Sequence, residues 1–505
     1  MKNNFSALRT KLKEIAHLNT AMTALMWDQE VKMPLGGAAR RAETMATLSG
    51  VTHDKFLSTD FVTLLTELKK NSGAKKFDQG QAATIKDIWK TYEREKRIPK
   101  KFIEDEARAI SAGQTAWQHA RKQSKFSLFA GELTKLVELA RRKADYIGFR
   151  HSPYDALLDL FEPEVRTQEV SIMLDELKKF LIPFLGKVFA AAKKENFSHD
   201  IFSGNFPLET QKKFNREIAT KMGFDWHRGR FDESTHPFTV AFHPEDVRIT
   251  TRYSQADVFY SIISTVHETG HALYEQGIEP RHFGTALAQA ASYGIHESQS
   301  KLWENMVGRS TGFWKYFYPR LQELFPEPFG GISLQDFYNN LNAVIPGPIR
   351  TEADELTFNL HIILRFEIER DLIEGTIAVR DLPEIWNAKT KEYLGLTPKN
   401  DAEGVLQDIH WSQGGFGYFP SYILGNLYAA QLYARASQEM QNLETEIALG
   451  HFEHLLNWLR KKVHRHGKKY DPQELMMQAT GEGLRSSYFI RYIEKKYADI
   501  YQLKP

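Results

Sequence analysis

The chain has 505 residues, with 66 Lys and Arg against 64 Asp and Glu, and it contains no cysteine. Its formal net charge of +2 gives no electrostatic reason for binding nucleic acid or an anionic membrane, so we expect neither as a partner. The lack of cysteine excludes disulfides and thiolate metal sites, so any bound metal must be held by histidine and carboxylate ligands.

Helical periodicity dominates the chain and predicts a mainly α fold. Long charged helices are predicted in the block 53–146, including 78–97 and 101–122, and helical periodicity returns over 426–505. The length is compatible with one domain over residues 1–505, built as a single helical unit or as two helical halves that flank a cleft. The chain begins with no apolar signal region and has no stretch near 18 apolar residues, so we expect a cytoplasmic protein.

Residues 236–253 carry the strongest β-hairpin signal. Residues 236–242 have strand composition, residues 243–246 are typical of a turn, and residues 247–253 alternate and are rich in β-branched side chains. An edge strand here could pair with an extended peptide by strand addition. A small structural hairpin is the alternative.

The motif H-E-T-G-H at residues 267–271 follows this hairpin. On a helix, His267 and His271 share one face and can hold one divalent metal ion, usually zinc. Glu268 can reach the open coordination position, where it would act as general base toward water.

Apolar spacing predicts that a helix over residues 257–275 carries the motif and stops at Gly277. Gly270 inside a helix costs about 1 kcal/mol relative to alanine. We expect that a missing side chain beside the metal justifies this cost.

A zinc site also needs a third protein ligand. Glu297 begins a run over residues 297–305 that predicts a second helix downstream of His271, as in gluzincin-type peptidases. The metzincin pattern H-E-x-x-H-x-x-G-x-x-H is not present. The alternative is that the motif is a chance match.

Residues 309–348 form a connection rich in Gly, Pro and aromatic residues, and residues 350–370 are predicted as one long helix. This helix carries charged side chains along a partly apolar surface. Buried charges need partners, and a shell around a metal site would supply some of them. A helix with one solvated charged face is the alternative.

Residues 404–425 combine a Gln-Asp-Ile-His-Trp run with a flexible glycine loop and two tyrosines. His410, Tyr418 or Tyr422, if held near the metal, could donate a hydrogen bond to the oxyanion of a tetrahedral intermediate. An aromatic-rich packing loop is the alternative.

Six ordered segments together resemble the carboxypeptidase Taq family of zinc metallocarboxypeptidases. They are His236-Pro-Phe, Asp246-Val-Arg-Ile-Thr, His267-Glu-Thr-Gly-His, His296-Glu-Ser-Gln, Ile349-Arg-Thr-Glu-Ala-Asp and Gly404-Val-Leu-Gln-Asp-Ile-His-Trp. Segments near residues 27–34 and 462–467 are also similar to the family, so the resemblance covers nearly the whole chain.

The resemblance implies a large helical fold of the neurolysin and angiotensin-converting-enzyme type, with a deep active-site groove and a small β-sheet beside the metal helix. It implies a zinc-dependent enzyme that releases single residues from peptide C-termini, with broad specificity and poor release of proline. Cobalt often replaces zinc in the family, and its members are commonly homodimers. Carried over, His267, His271 and Glu297 are the metal ligands, and Glu268 is the general base and acid.

An exopeptidase must also recognise the terminal carboxylate of its peptide substrate, and a guanidinium fork suits this task. Arg350 is our first candidate, Arg248 the second, and His236 is considered if neither binds it. Two other functions stay open: an endo-oligopeptidase on the same scaffold without a carboxylate clamp, and a helical peptide-binding protein without catalysis. An intact Glu268 argues against the second.

Overall fold

The computed structural model of the protein describes residues 2–72, 77–195 and 197–503. The predicted helical block 53–146 therefore has residues 73–76 outside the described part. The α-helices are α1 (Lys2–Val31), α2 (Ala38–Phe56), α3 (Thr59–Lys70), α4 (Gln79–Glu95), α5 (Lys100–Lys122), α6 (Ala130–Ile147), α7 (Pro153–Leu158), α8 (Thr167–Glu195), α9 (Leu208–Met222), α10 (Phe259–Gly277), α11 (Tyr293–Lys301), α12 (Thr311–Leu324), α13 (Pro326–Phe329), α14 (Leu334–Leu341), α15 (Glu355–Glu374), α16 (Leu382–Leu394), α17 (Phe419–Glu439), α18 (Leu443–Ala448), α19 (Glu453–Lys462), α20 (Pro472–Thr480) and α21 (Ser486–Ile500). The mainly α fold class is confirmed, and the predicted helices at 78–97 and 101–122 are observed as α4 and α5.

Three short strands form a small sheet beside α10. They are β1 (Gly229–Glu233), β2 (Thr239–His243) and β3 (Asp246–Thr251), in the spatial order β1-β3-β2. β2 pairs antiparallel with β3, which confirms the predicted hairpin, whereas β1, which runs parallel to β3, is not predicted from the sequence. β2 is an edge strand, although Thr20 of α1 covers part of it by donating to the carbonyl oxygen of Phe242 at 3.0 Å.

The predicted long helix over residues 350–370 is wrong at its start. Arg350–Glu352 form a 3-10 turn, and α15 begins only at Glu355. The cause is Asp354, whose side chain caps α15 by accepting two backbone N–H groups of its first turn at 2.9 Å. Arg350 therefore lies in a turn before α15 and is not part of the helix.

The predicted connection over residues 309–348 is also wrong in part, because it contains α12, α13 and α14. Ser310 and Ser333 begin two of these helices by accepting a backbone N–H of the first turn. Prolines in a sequence favour the prediction of a loop, but here Pro326 starts α13 and Pro319 lies inside α12.

One large hydrophobic core joins most of the helices, and its buried members run from Trp117 to Tyr501 along the chain. A separate cluster lies among α1, α3 and α4 and consists of Phe5, Leu8, Leu12, Phe61, Leu65, Leu68 and Ile85. The arrangement of one domain as two helical halves stays a prediction. Among the described residues, no helix is both long enough and apolar enough to span a membrane.

Candidate metal centre

α10 carries the H-E-T-G-H motif and ends at Gly277, where the sequence predicts its stop. The helix is buried along most of its length and packs on the sheet, α9 and α11. His267 and His271 lie one turn apart, with 4.9 Å between their ring centroids. Nε2 of His267 is 3.8 Å from Oε2 of Glu297, and Nε2 of His271 is 3.3 Å from the same oxygen.

These three side chains form a group that could hold a metal ion, since one ligand atom of each lies within 4.8 Å of the others. Zinc binds histidine nitrogen and carboxylate oxygen at about 2.1 Å, so its ligands in a tetrahedral arrangement are about 3.4 Å apart. The two nitrogen-to-oxygen distances of 3.3 and 3.8 Å fit this requirement. Two imidazoles and a carboxylate are also the ligand set of catalytic zinc sites that keep one position open.

Glu297 is held in place because α11 lies between α10 and α17. α11 begins at Tyr293, one turn before the predicted start at Glu297. Two glycines allow the helices to approach: a Cβ on Gly270 would lie 2.8 Å from a backbone oxygen of α11, and one on Gly425 would lie 2.5 Å from Cγ of Glu297. Gly270 therefore makes room for α11, and the expectation that it makes room for the metal is wrong.

A second carboxylate orients the first histidine. α11 continues into a π-helical turn, Leu302–Gly308, from which Oε2 of Glu304 reaches Nδ1 of His267 at 2.7 Å. Lys301 donates to the same oxygen at 2.9 Å and lies 4.0 Å from Oε1 of Glu297. The contact leaves Nε2 of His267 to face Glu297, as metal binding through that nitrogen requires. Glu304 is not predicted from the sequence, although its spacing of two helical turns from Glu297 is a signal for it.

The surroundings favour the metal-binding forms of Glu297 and His271. Burial alone raises the pKa of Glu297, but the charge of His267, a hydrogen bond from His271 and the charge of Lys301 lower it to about 2. Glu297 is therefore ionised at neutral pH. Burial lowers the pKa of His271 to about 3, so its imidazole is neutral and offers a nitrogen lone pair to a metal.

The predicted general base, Glu268, is buried beside this centre with 6% of its surface exposed. Burial raises the pKa of its carboxyl, and the charge of His267 and a hydrogen bond from Thr239 partly offset that effect. Oγ1 of Thr239 lies 2.7 Å from Oε2 of Glu268. No local pattern in the sequence links these two residues, because their contact depends on how β2 packs against α10.

The three predicted oxyanion donors lie together. Nε2 of His410 is 3.2 Å from Oη of Tyr422, and the rings of Tyr418 and Tyr422 are 5.1 Å apart between centroids. Burial raises the pKa of both phenols, and the charge of Glu297 adds to this effect. The phenols are therefore protonated donors at neutral pH. Burial lowers the pKa of His410 to about 4, so its imidazole is neutral.

One buried carboxylate holds the segment that carries His410 and Tyr418. Oε2 of Glu369 on α15 accepts from Nε1 of Trp411 at 2.7 Å, and Oε1 accepts from the backbone N–H of Gly417 at 2.6 Å. Both ends of the glycine loop are thus tied to α15 by hydrogen bonds.

Arg350 lies beside the same aromatic residues, with its guanidinium carbon 5.1 Å from the ring centroid of Tyr422. Its Nε and Nη2 both lie 2.8 Å from Oδ1 of Asp408, and Arg365 of α15 donates to Oδ2 of Asp408 at 2.6 Å. Nη1 of Arg350 forms no hydrogen bond to any residue that the structure describes.

The charged side chains Arg365 and Glu369 of α15 are fully buried, so the alternative of a solvated charged face on this helix is wrong.

The other two candidates for substrate binding have different surroundings. Arg248 on β3 contacts both carboxylate oxygens of Asp246 at 2.9 Å, and its guanidinium carbon is 4.7 Å from the ring of Trp27 and 4.3 Å from that of Phe242. Its guanidinium is therefore paired with a carboxylate, as that of Arg350 is, but it lies against Trp27 and Phe242 and not beside Tyr422. His236 is exposed in the segment that precedes β2.

A groove of about 600 Å³ runs among α1, α2, α4 and the turn between β2 and β3. Glu275 of α10, one turn beyond His271, lines this groove. It pairs with Nε2 of His296 at 2.8 Å, and the ring of His296 stacks on His271 with 4.5 Å between centroids. Glu275 and His296 therefore lie between the groove and the candidate ligand His271, and the volume of the groove suits part of a peptide.

The chain is similar to known proteins over nearly its full length. A model of the family described as Carboxypeptidase Taq (M32) metallopeptidase matches residues 7–497. Carboxypeptidase 1 of Bacillus subtilis is 41% identical over 492 residues, and Thermostable carboxypeptidase 1 of Thermus thermophilus is 39% identical over 499 residues; each alignment covers 97% of this chain and 97% of the relative. The crystal structure of the M32 carboxypeptidase from Deinococcus radiodurans matches with a TM-score of 0.95 at 35% identity, covering 99% of this chain and 100% of that one.

Proposed function

The chain belongs to the carboxypeptidase Taq (M32) metallopeptidase family, and we propose that it is a zinc-dependent carboxypeptidase that releases single residues from peptide C-termini. Membership of the family makes it a metal-dependent peptidase that acts on peptides. The observation that carries the finer proposal is the group of two histidines and a glutamate whose ligand atoms lie within 4.8 Å of one another. An acidic residue directly follows the first of these histidines.

His267, His271 and Glu297 would hold the zinc ion, which when bound polarises the scissile carbonyl and lowers the pKa of a water molecule toward about 7. Glu268 takes a proton from the attacking water and later passes it to the leaving amine. Its burial and raised pKa support this double role, because the carboxyl must hold the proton between the two transfers.

Tyr422 donates a hydrogen bond to the oxyanion of the tetrahedral intermediate, with His410 and Tyr418 as its immediate neighbours. The contact of 3.2 Å between Nε2 of His410 and the Tyr422 hydroxyl supports the choice of Tyr422 as the donor, since a neutral imidazole can orient the phenol. His410 and Tyr418 are the other two candidates for the donor. Removing one such donor typically costs about 100- to 1,000-fold in turnover.

Arg350 binds the terminal carboxylate of the substrate. Its pairing with Asp408, which Arg365 holds from the other side, orients the guanidinium and leaves Nη1 available to a ligand. Arg248 is less suited because its guanidinium lies against Trp27 and Phe242, whereas that of Arg350 lies beside Tyr422. His236 stays the third candidate.

Four further properties rest on the family resemblance and stay predictions. They are broad side-chain specificity with poor release of proline, retained activity when cobalt replaces zinc, assembly as a homodimer, and a cytoplasmic location. We expect peptides as substrates and no nucleic-acid partner.

Digestion of one peptide in two forms tests the proposed function. The free acid and the C-terminal amide are incubated with the protein as purified, after treatment with a chelator, and after zinc is restored, and the products are followed by mass spectrometry. We expect the free acid to shorten one residue at a time only when zinc is present, and the amide to react far more slowly. Internal cleavage of both forms would indicate an endo-oligopeptidase, and no cleavage by the zinc-loaded protein would indicate a non-catalytic peptide-binding protein.

A further inference from the structure

Thr239, the first residue of β2, contacts the general base from outside the metal-binding helices. Its Oγ1 lies 2.7 Å from Oε2 of Glu268 and 2.9 Å from the backbone oxygen of the same residue. Within the part of the chain that the structure describes, it is the one side chain that forms a hydrogen bond with the Glu268 carboxylate. A hydroxyl has a single proton, so it donates to one of these two oxygens at a time.

The position of this hydroxyl is fixed by the sheet. Thr239 pairs with Ile249 on β3. The backbone N–H and the backbone oxygen of the preceding residue, Phe238, both form hydrogen bonds with Thr250. The backbone N–H of Thr250 donates to the Phe238 oxygen at 2.9 Å, and Oγ1 of Thr250 accepts from the Phe238 N–H at 3.0 Å. A β-branched side chain also has few allowed rotamers. The sheet therefore presents the Thr239 hydroxyl to α10 at a defined point.

Glu268 needs such a contact because the terminal torsion of a glutamate side chain is broad and sets no single orientation. A general base must lie within about 2.6–3.2 Å of the proton it removes, and a misplacement of about 1 Å can cost about 100-fold in rate. A hydrogen bond to Oε2 fixes the carboxylate plane and leaves Oε1 for the water.

We propose that Thr239 is a positioning residue that orients the Glu268 carboxylate for proton transfer. This inference rests on the proposed function of Glu268 as general base. The second acceptor, the Glu268 backbone oxygen, lets the hydroxyl keep a hydrogen bond while the carboxyl turns toward the leaving amine. The strand then does not have to move between the two proton transfers.

A contact between a sheet and a helix could also serve only to hold the two together, and the chain offers a matched control for that role. Oγ1 of Thr251 on β3 lies 2.5 Å from Oγ of Ser264 on α10, and Thr251 is fully buried. This pair joins the same sheet to the same helix without touching Glu268. Thr251→Val therefore removes a comparable contact and leaves the carboxylate untouched.

The test compares Thr239→Val, Thr239→Ser and Thr251→Val, with kcat and KM for a free-acid peptide, zinc content and thermal stability measured for each. We expect Thr239→Val to keep its zinc and its KM within about threefold while kcat falls about 10- to 100-fold. We expect Thr239→Ser to recover most of kcat, and Thr251→Val to keep it. Thr239→Ala tests the same point if the valine variant does not fold.

Three results would overturn the inference: kcat of Thr239→Val within about twofold of wild type, an equal loss of kcat in Thr239→Val and Thr251→Val, or a change in KM alone. Failure of the proposed function is a separate result, because the wild-type protein with zinc would then show no release of C-terminal residues. A Glu268→Gln background gives a further check. There Thr239→Val should cause no additional loss of kcat.

Discussion

Oε2 of Glu304 lies 2.7 Å from Nδ1 of His267, so a carboxylate outside the proposed ligand group fixes the ring of the first proposed ligand. The same carboxylate accepts from Lys301 at 2.9 Å, and Arg309 lies 4.0 Å away. Contacts of this kind select the tautomer of the histidine and strengthen its bond to a metal.

Replacing Glu304 should therefore weaken zinc binding without removing a ligand. We expect Glu304→Gln to raise the dissociation constant for zinc about 10- to 100-fold, measured by competition with a chromogenic chelator. Glu369→Gln is the control, because Glu369 is also a buried acid but contacts no proposed ligand. Equal zinc affinity in Glu304→Gln and wild type would show that the contact does not support the metal.

Arg350 should distinguish a free C-terminus from a blocked one. A charge-assisted hydrogen bond to a carboxylate is worth about 1.5–3 kcal/mol. We therefore expect Arg350→Ala to lower kcat/KM for a free-acid peptide about 10- to 100-fold and to change the value for the amidated peptide little. Arg350→Lys should restore part of the loss, since lysine provides the charge without the bidentate fork.

Arg248→Ala provides the comparison for this experiment, because Arg248 is also paired with an aspartate but lies against Trp27 and Phe242. We expect it to affect free-acid and amidated peptides to the same extent. A selective loss on the free acid in Arg248→Ala would move the carboxylate site to that arginine. Equal losses on both peptides in both variants would exclude both arginines and favour His236.

Glu162 should make the stability of the protein depend on pH. It is fully buried, and its Oε1 accepts from the backbone N–H of Gly294 at 2.5 Å and from Oγ of Ser421 at 2.6 Å. Burial raises the pKa of this carboxyl to about 7. Because the folded pKa lies above the unfolded value, the folded state holds the proton more tightly, and stability is lost as pH rises from about 4.5 through about 7.

Glu162→Gln keeps an oxygen for both donors and removes the titration. The unfolding free energy of the variant minus that of wild type should therefore rise between pH 5 and pH 8, by on the order of 2 kcal/mol. Denaturant unfolding at the two pH values measures it. Glu164→Gln is the control: the pKa of Glu164 is lowered, first by a hydrogen bond from Lys90, so its contribution changes only below about pH 4.5. A difference for Glu162→Gln that does not vary with pH would contradict the prediction.

The two histidines of the candidate metal centre could be predicted from the sequence because their signal is local. The spacing of His267 and His271 is one helical turn, and the stop of the helix at Gly277 is a single residue. The hairpin around residues 243–246 could be predicted for the same reason, since alternation and turn chemistry act over a few residues.

The contacts that orient the site could not be predicted, because they join elements distant in the chain. Thr239 meets Glu268 through the packing of β2 on α10, and Asp408 meets Arg350 and Arg365 from a separate segment. Periodicity carries no information about such pairings.

We propose that Glu268 acts as the base of a zinc centre formed by His267, His271 and Glu297, and the zinc-loaded Glu268→Gln protein tests this role most directly. The amide keeps the shape of the side chain and removes its basicity. Metal analysis and turnover of a free-acid peptide are measured on the same preparation. We expect one zinc per chain and a fall in kcat of at least about 100-fold. Near-normal turnover by a fully zinc-loaded Glu268→Gln protein would contradict it.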